Sequence, residues 1–200
     1  MKSNMLMTII LGLAIVLSSF TFLPPPDKYE VEITSSTVQW TGYHIAKSYS
    51  HTGKISIKTG TLEVQDGELI SGTIVLDMNS IMNEDLTKEK DNKKLVNDLK
   101  SERFFNVNEH PEASLDIKKV NKTGEGKYSI SADITIRGIT EPIEFEATGS
   151  SQNGGSIKYK ASLKVDRTKH EVMYGWSVGN VILGNTFDLE IELVAEKAVN

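Results

Sequence analysis

The chain has 200 residues, a formal net charge of −5 and no cysteine. Its length is enough for one sizeable domain. The lack of cysteine excludes disulfides, thiol catalysis, Cys-based zinc sites and a lipidated N-terminal cysteine. The 22 basic residues form no dense cluster among the 27 acidic ones, so we expect no nucleic-acid partner.

The N-terminus is typical of a secretory signal peptide. Lys2 precedes an uncharged, mostly apolar stretch from Met5 to Leu23, which has small residues near its end and is followed by three prolines. We predict a signal peptide over residues 1–23, a proline-rich spacer over residues 24–28 and a protein that is periplasmic or secreted. An uncleaved anchor is the alternative, because the uncharged stretch approaches the roughly 20 residues that span a bilayer.

Most segments after residue 28 alternate apolar and polar side chains, which predicts β-strands with one buried and one exposed face. The alternating runs cover residues 29–34, 38–41, 54–58, 62–65, 73–77, 115–118, 130–137, 143–147, 157–166 and 187–193. Between them, Thr59-Gly60, Asp66-Gly67 and Gly124 to Gly126 predict tight turns. We expect roughly nine strands in total.

Strands with a single apolar face build either a closed barrel or a two-layer sandwich. The turns are mostly short, which favours antiparallel hairpins, and closure removes exposed strand edges. We therefore predict an all-β fold, a single antiparallel barrel over residues 29–197, with a sandwich as the alternative. A barrel of about eight strands is either filled by its own side chains or wide enough for one small ligand.

One highly charged segment, from Asn83 to Leu115, interrupts the alternation. We predict a helix with Asn83 as its N-cap and acidic residues in its first turn, where the helix dipole favours negative charge. Leu86, Leu95 and Leu99 give this helix a narrow apolar stripe, so it must lie on a larger body. We expect it to cap one end of the barrel, and a helix that covers a sheet face or edge is the alternative.

Two adjacent phenylalanines, Phe104 and Phe105, follow the predicted helix and precede Pro111. Neighbouring loop residues do not readily face the same way, so we expect one ring in the core and the other at a cavity. The alternative places both rings in the core. Trp40 and Trp176 also leave open whether each is a core residue or a platform for a ligand.

The residue types that usually carry catalysis form no recognisable pattern. His44, His51, His110 and His170 lack the spacing of metal ligands, although the first two could meet across a hairpin. No nucleophile elbow and no phosphate-binding loop occurs in the sequence. We therefore expect no catalytic residues, no metal and no cofactor. An exported barrel with an apolar lumen and a helical cap favours binding of an apolar molecule.

The inward-facing apolar residues and the two loop phenylalanines are the candidate ligand-binding set. They are Trp40, Ile55, Ile57, Leu62, Val64, Ile74, Leu76, Phe104, Phe105, Ile134, Ile136, Phe145, Tyr159, Leu163 and Phe187. The same side chains would also form an ordinary hydrophobic core. Ligand binding therefore requires an interior larger than these side chains fill.

Short motifs spread along the chain resemble the YceI-like family. They are Trp40-Thr41-Gly42, His51-Thr52-Gly53, Ile74 to Ile81, Leu99-Lys100-Ser101 with Phe104-Phe105-Asn106-Val107, Asp133 to Thr140, and Asp166-Arg167-Thr168. They follow the family's order over about Tyr29 to Ala195, and their combination is much more specific than any one motif.

This resemblance implies a lipocalin-like antiparallel β-barrel, exported in bacteria, that holds a polyisoprenoid or similar long-chain lipid in its lumen. The family has no agreed catalytic residues. Asp98 stands where the family commonly has a histidine, and the segment from Gly175 to Asn185 also differs from the family pattern. These departures affect the expected cap and one rim of the expected pocket.

The leading hypothesis is non-covalent binding of a polyisoprenoid, another isoprenoid or a fatty-acyl lipid, for carriage or sequestration in the bacterial envelope. One alternative is a structural barrel with a filled core that acts through its surface. The other is a small-molecule isomerase or hydrolase that uses the lumen. We expect no stable membrane span after processing, and the sequence leaves a homodimer open.

Overall fold

The computed structural model describes residues 24–45, 49–151, 155–173 and 183–198. The predicted signal peptide, Trp176 and most of the segment from Gly175 to Asn185 lie outside these ranges. The strands are β1 (Asp27–Val31), β2 (Thr37–His44), β3 (Ser50–Gln65), β4 (Glu68–Asn83), β5 (Glu112–Gly124), β6 (Lys127–Ile136), β7 (Ile139–Ser151), β8 (Ser156–Asp166) and β9 (Leu183–Lys197). Helix α1 (Glu89–Lys100) lies between β4 and β5, and a 3₁₀ helix (Arg167–His170) follows β8.

Strands β2 to β9 close into an antiparallel barrel. Each strand from β2 onwards pairs with the next one, and β9 pairs back with β2. Strand β1 pairs with β3 and β9 beyond the end of β2, so β1 and β2 share one position in the wall. The predicted antiparallel barrel is confirmed, and the sandwich alternative is wrong.

Alternating side chains and tight turns build this wall. In β6, every second residue is buried: Tyr128, Ile130, Ala132, Ile134 and Ile136. The β3–β4 hairpin turns through Asp66 and Gly67, with φ angles of 53° and 81°. The β6–β7 hairpin turns through Arg137 and Gly138, with φ angles of 54° and 74°. Positive φ at both central residues suits the twist of a two-residue hairpin, and the predicted turn at Asp66-Gly67 is confirmed.

The predicted turn at Gly124 to Gly126 is also confirmed, whereas the one at Thr59-Gly60 is wrong. Both residues lie inside β3, where Gly60 pairs with Ile74 of β4. A Cβ atom on Gly60 would lie 2.6 Å from Cγ2 of Val31. The glycine therefore makes room for the side chain of β1 and does not turn the chain.

The first strand is shorter than predicted at its C-terminal end. β1 ends at Val31, and Ile33 is 47% exposed in a turn where the Ser35 N–H donates to the Glu32 carbonyl at 3.2 Å. The prediction that this strand continues to residue 34 is wrong, because the chain must turn there to pass from β1 to β2. At its other end, β1 already begins at Asp27, inside the predicted spacer.

Two tyrosines close the end of the barrel that carries the β3–β4 hairpin. The ring centroids of Tyr128 and Tyr159 are 5.8 Å apart, and the Tyr128 hydroxyl donates to Glu68 Oε2 at 2.8 Å. Burial and this hydrogen bond raise the pKa of Tyr128 above its usual range. A Cβ atom on Gly149 would lie 2.1 Å from the Tyr159 ring, so the ring can occupy this place only because residue 149 is glycine. Both rings are buried and pack in this end of the interior.

Candidate functional site

Helix α1 lies over the end of the barrel opposite the tyrosine pair. Leu95 and Leu99 face the interior, and Leu99 is buried. The Asn92 side chain donates to the Asn83 carbonyl at 3.0 Å, which ties the helix to the end of β4. Acidic residues in the first turn and Lys100 in the last complement the helix dipole. The helical insertion that caps one end is thus confirmed.

The predicted start of this helix at Asn83 is wrong. Asn83 is the last residue of β4, where it pairs with Gly53 of β3 and is buried. Its Nδ2 donates to the Thr52 carbonyl at 2.9 Å, and its Oδ1 accepts from the Leu86 N–H at 3.0 Å. The asparagine therefore caps the turn that leaves the strand, and α1 begins only at Glu89.

Phe104 and Phe105 lie in the turn that follows α1. The N–H of Phe104 donates to the Ser101 carbonyl at 2.9 Å, and that of Phe105 donates to the Leu99 carbonyl at 3.1 Å. The ring centroids are 4.9 Å apart, and the ring planes meet at 77°. Phe105 is buried and packs in the core, whereas Phe104 is partly buried. The turn brings both rings to the cavity beneath the helix.

A cavity of about 330 Å³, which we call the upper cavity, lies beneath α1. It is lined by Trp40, Gly42, Tyr43, His44, Tyr49, His51, Ile55, Ile81, Lys94, Leu95, Asp98, Leu99, Phe104, Phe105, Arg167, Leu183, Gly184, Thr186 and Phe187. A second cavity of about 40 Å³, the lower cavity, lies deeper in the barrel. It is lined by Ile55, Ile74, Leu76, Met78, Phe105, Ala113, Ser114, Leu115, Ile134, Ile136, Leu163, Phe187, Leu189 and Ile191.

The predicted ligand-binding residues fall into three groups. Ten of them line at least one cavity: Trp40, Ile55, Ile74, Leu76, Phe104, Phe105, Ile134, Ile136, Leu163 and Phe187. Among these, Ile55, Phe105 and Phe187 line both cavities and lie between them. The remaining residues, Ile57, Leu62, Val64, Phe145 and Tyr159, are buried in the core and line neither cavity. Contact of any of these residues with a lipid stays a prediction.

Part of the rim of the upper cavity is polar. The Tyr49 hydroxyl hydrogen-bonds His44 Nε2, and the two rings stack with centroids 3.7 Å apart. Tyr49 also meets the ring of His51 at 5.7 Å, and His51 Nδ1 is 2.8 Å from Asp85 Oδ2. Burial alone would raise the pKa of Asp85, but hydrogen bonds led by those from His51 and the Thr52 N–H outweigh it and lower that pKa. Tyr49 therefore joins the two histidines across the hairpin.

Asp98, at the place where the family resemblance leads us to expect a histidine, lines the upper cavity. Its Oδ2 accepts from Lys94 Nζ at 2.6 Å. In β2, the Tyr43 hydroxyl donates to Asp188 Oδ2 at 2.7 Å, and this bond and burial raise the pKa of Tyr43. The carboxylates of Asp98 and Asp188 at this end of the barrel therefore already have hydrogen-bond partners within the protein.

Arg167 is a buried charged residue of the upper cavity that the predicted ligand-binding set does not include. It is 4% exposed, and its guanidinium donates to the backbone carbonyls of Val172 and Gly184, each at 2.8 Å. The alternation of β8 carries the signal, because Leu163 and Val165 face inward and residue 167 falls on the same side. A charged side chain that continues an inward apolar series points to a polar group inside the barrel.

Within the described ranges, no group of three or more His, Asp or Glu residues is placed to hold a metal ion. None of the helices in the described part of the chain is long and apolar enough to cross a membrane.

The sequence model of the family described as YceI-like domain matches residues 29–195 of this chain. A UPF0312 protein of Pectobacterium carotovorum subsp. carotovorum is 39% identical over 49 residues, which are 24% of this chain and 25% of that protein. A UPF0312 protein of Yersinia pestis is 33% identical over 54 residues, which are 27% of this chain and 28% of that protein. The aligned part thus spans about a quarter of these curated relatives.

Three solved structures have a similar fold. Burkholderia cenocepacia BcnA has a TM-score of 0.66 at 19% identity, with 82% of this chain and 98% of that chain covered. A polyisoprenoid-binding domain from Saccharophagus degradans has a TM-score of 0.64 at 12% identity, with 85% and 98% covered. The YCEI protein of Campylobacter jejuni has a TM-score of 0.55 at 15% identity, with both chains fully covered.

Proposed function

Since the chain belongs to the YceI-like family, we propose that its barrel binds a long apolar lipid without a covalent bond. The ligand class that we favour is a polyisoprenoid or a similar isoprenoid or fatty-acyl molecule. The domain from Saccharophagus degradans with a similar fold carries the name polyisoprenoid-binding. The proposed activity is binding, with no chemical step.

The upper cavity is the observation that carries this proposal. Its volume of about 330 Å³ falls within the roughly 300–1,000 Å³ typical of ligand pockets. Packed protein interiors hold few voids larger than a water molecule, so a space of this size supports a binding role. Apolar side chains such as Trp40, Leu99 and Phe187 form much of the lining, which favours an apolar ligand.

The energy of burying an apolar chain is sufficient for useful affinity. Each buried methylene contributes about 0.8 kcal/mol, so a ten-carbon segment offers roughly 8 kcal/mol before costs. Association and ordering cost several kcal/mol. A net binding energy of about 8 kcal/mol, which corresponds to a micromolar Kd, therefore requires a buried chain of roughly 15 carbons when there is no charged contact.

A long chain requires more room than the upper cavity offers. Ile55, Phe105 and Phe187 lie between the two cavities, and Ile136 and Leu163 line the lower one. In our proposal, rotation of the Phe105 and Phe187 rings lets the lipid chain extend into the lower cavity. The other end of the chain leaves through the rim beneath α1.

Export of the protein is part of the proposal. The uncharged stretch that precedes the prolines is expected to direct secretion and then to be removed, so the lipid is carried or sequestered in the envelope or outside the cell. N-terminal sequencing of the native protein tests this, and we expect a mature start between Ser19 and Asp27. A chain that still begins at Met1 or Lys2 would indicate a retained leader instead.

Mass spectrometry of organic extracts tests the binding function. The protein is purified under native conditions without detergent, and we expect a long-chain isoprenoid or acyl lipid in near-equal amount. The matched sample is stripped of lipid and then offered polyprenyl and fatty-acyl probes. A folded protein that carries no lipid and takes up neither probe would contradict the proposal and favour the structural barrel.

A hydrolytic activity is the second candidate function, and the His51–Asp85 pair favours it. His51 lines the upper cavity, and its hydrogen bond of 2.8 Å to Asp85 is the arrangement that orients a histidine general base. Release of nitrophenol from nitrophenyl acyl esters tests this function. A protein-dependent rate that falls about 100-fold in His51→Gln would support it, and a rate equal to that in buffer would exclude it for these esters.

A further inference from the structure

The side chain of Arg167 carries a positive charge in the wall of the upper cavity. Three backbone carbonyls hold the guanidinium: Nε donates to Gly184 at 2.8 Å, Nη1 to Val172 at 2.8 Å and Nη2 to Leu183 at 3.5 Å. The second N–H of Nη1 points towards Met173 Sδ at 4.0 Å. A guanidinium has five N–H groups, so one N–H on Nη2 has no acceptor in the described part of the chain.

No Asp or Glu side chain in the described ranges forms an ion pair with that charge. Every Asp and Glu of the chain lies in the described ranges, and the ion pairs formed there do not include Arg167. The neighbouring Asp166 turns its Oδ1 to the N–H and hydroxyl of Thr168, at 3.0 Å and 2.6 Å. A buried cation without a paired anion is costly, so an anion in the cavity would be stabilised beside it.

Lys94 provides a contrast within the same cavity. Its ammonium group is 2.6 Å from Asp98 Oδ2, so a carboxylate of the protein already compensates its charge. Within the described ranges, the oxygen atoms that accept hydrogen bonds from the Arg167 guanidinium are backbone carbonyls, and Asp166 acts on it through its charge without a hydrogen bond. The apolar ring of Phe187 also lines this cavity and continues into the lower one. A cation beside an apolar channel is the arrangement that suits a lipid with an anionic end.

We propose that Arg167 recognises a carboxylate or phosphate oxygen of the ligand head group, while the apolar chain runs past Phe187 into the barrel. This inference rests on the proposed lipid binding and adds the chemical class of the polar end. Arginine suits the role, because it stays protonated when buried and its charge-assisted hydrogen bonds to such oxygens are strong. The upper cavity would therefore prefer an anionic lipid to a neutral one of equal chain length.

Affinities of the lipid-free protein for palmitate, hexadecyl phosphate and hexadecanol test this preference. At mildly alkaline pH, we expect at least one of the two anionic lipids to bind about tenfold more tightly than the alcohol. Comparison of palmitate with hexadecyl phosphate distinguishes the two head groups. Equal affinity for all three would overturn the inference and leave lipid binding intact, whereas no binding of any of them would contradict the binding function itself.

The variant Arg167→Met assigns the preference to this residue. The ratio of anionic-lipid to alcohol affinity cancels losses common to both ligands, and we expect it to fall to about one-tenth of the wild-type ratio or less. Lys169→Met is the matched control, because it removes one exposed positive charge from the same 3₁₀ helix without lining the cavity. An unchanged ratio in Arg167→Met, or an equal fall in Lys169→Met, would overturn the assignment.

Carbon NMR of carboxyl-labelled palmitate gives a test that does not depend on a variant's folding. A carboxylate beside a buried guanidinium is stabilised in its charged form, so the pKa of palmitate bound to wild-type protein is expected to lie below that of palmitate in lipid vesicles. A bound carboxyl group that titrates as it does in vesicles would contradict contact with Arg167.

Discussion

Phe105 and Phe187 meet edge to face, with ring centroids 6.3 Å apart and ring planes at 83°. Phe105 comes from the turn after α1, whereas Phe187 belongs to β9, so this contact joins the cap to the barrel wall. Both rings line the upper and the lower cavity. A shift of the cap that moves Phe105 would therefore change the shape of both cavities.

Phe105→Ala is expected to weaken lipid retention and to lower the free energy of unfolding by about 3–5 kcal/mol. Phe104→Ala should weaken retention at a smaller cost in stability, because Phe104 is only partly buried. Phe145→Ala is the matched control, since Phe145 is only 9% exposed and lines neither cavity. Urea denaturation and mass spectrometry of bound lipid measure both effects. Full lipid occupancy in the Phe104 and Phe105 variants would show that these two residues serve core packing and not lipid retention.

We expect Ile136→Glu to abolish lipid binding and to have a smaller effect on folding. Ile136 is 4% exposed and lines the lower cavity, so the new carboxylate would face the apolar chain without a partner. Thr135→Glu places the same charge on the outward face of the same strand and should bind lipid normally. Circular dichroism establishes the folded state of both variants, and lipid uptake separates them. Equal lipid uptake by the two variants would mean that the lipid chain does not enter the lower cavity.

Gly53→Ala should destabilise the barrel, whereas Gly42→Ala should have a much smaller effect. A Cβ atom on Gly53 would lie 1.8 Å from the Met82 carbonyl oxygen, which also accepts the indole N–H of Trp40 at 3.1 Å. The backbone would have to shift, at an expected cost of about 1–3 kcal/mol or more. At Gly42, the nearest atom is a Trp40 ring carbon at 3.9 Å. Equal unfolding free energies for the two variants would refute this explanation of the Gly53 position.

Acid stability should depend on Asp85. Its pKa in the folded protein lies below the ordinary value of 3.8, so the native state binds fewer protons there than the unfolded state does. The stabilisation is fully present above pH 3.8 and is lost as the pH falls through the lower folded value. Asp85→Asn should cost about 1 kcal/mol at neutral pH and flatten the decline in unfolding free energy below that pH. If the unfolding free energies of the variant and the wild type declined in parallel at acid pH, this role of Asp85 in acid stability would be contradicted.

The fold could be predicted from sequence because its main signal is local. Apolar alternation with a period of two identifies strands such as β6, and Asp66-Gly67 identifies a hairpin. The predictions are wrong where contacts between residues distant in sequence decide the structure. Gly60 is small because Val31 packs against it, and Asn83 remains in β4 because it pairs with Gly53.

The candidate site was less predictable than the fold. Alternation indicates which side chains face inward, but the volume left between them depends on the packing of many strands at once. Tyr159 and Phe187 therefore look alike in sequence, yet one fills the closed end and the other lines both cavities. Arg167 lies outside a set limited to apolar residues, although the alternation of inward and outward residues in β8 places residue 167 on the inward side.

Quenching of Trp40 fluorescence tests the central claim of lipid binding in the upper cavity most directly. The chain has two tryptophans, so Trp176→Phe leaves Trp40 as the reporter. Trp40 lines the upper cavity and is 6% exposed, which shields it from water-soluble quenchers. A fatty acid brominated along its chain should quench it in a saturable manner, and an unlabelled fatty acid or polyprenol should restore the emission. Unchanged Trp40 emission in the folded variant, at every concentration of the brominated chain, would contradict the claim.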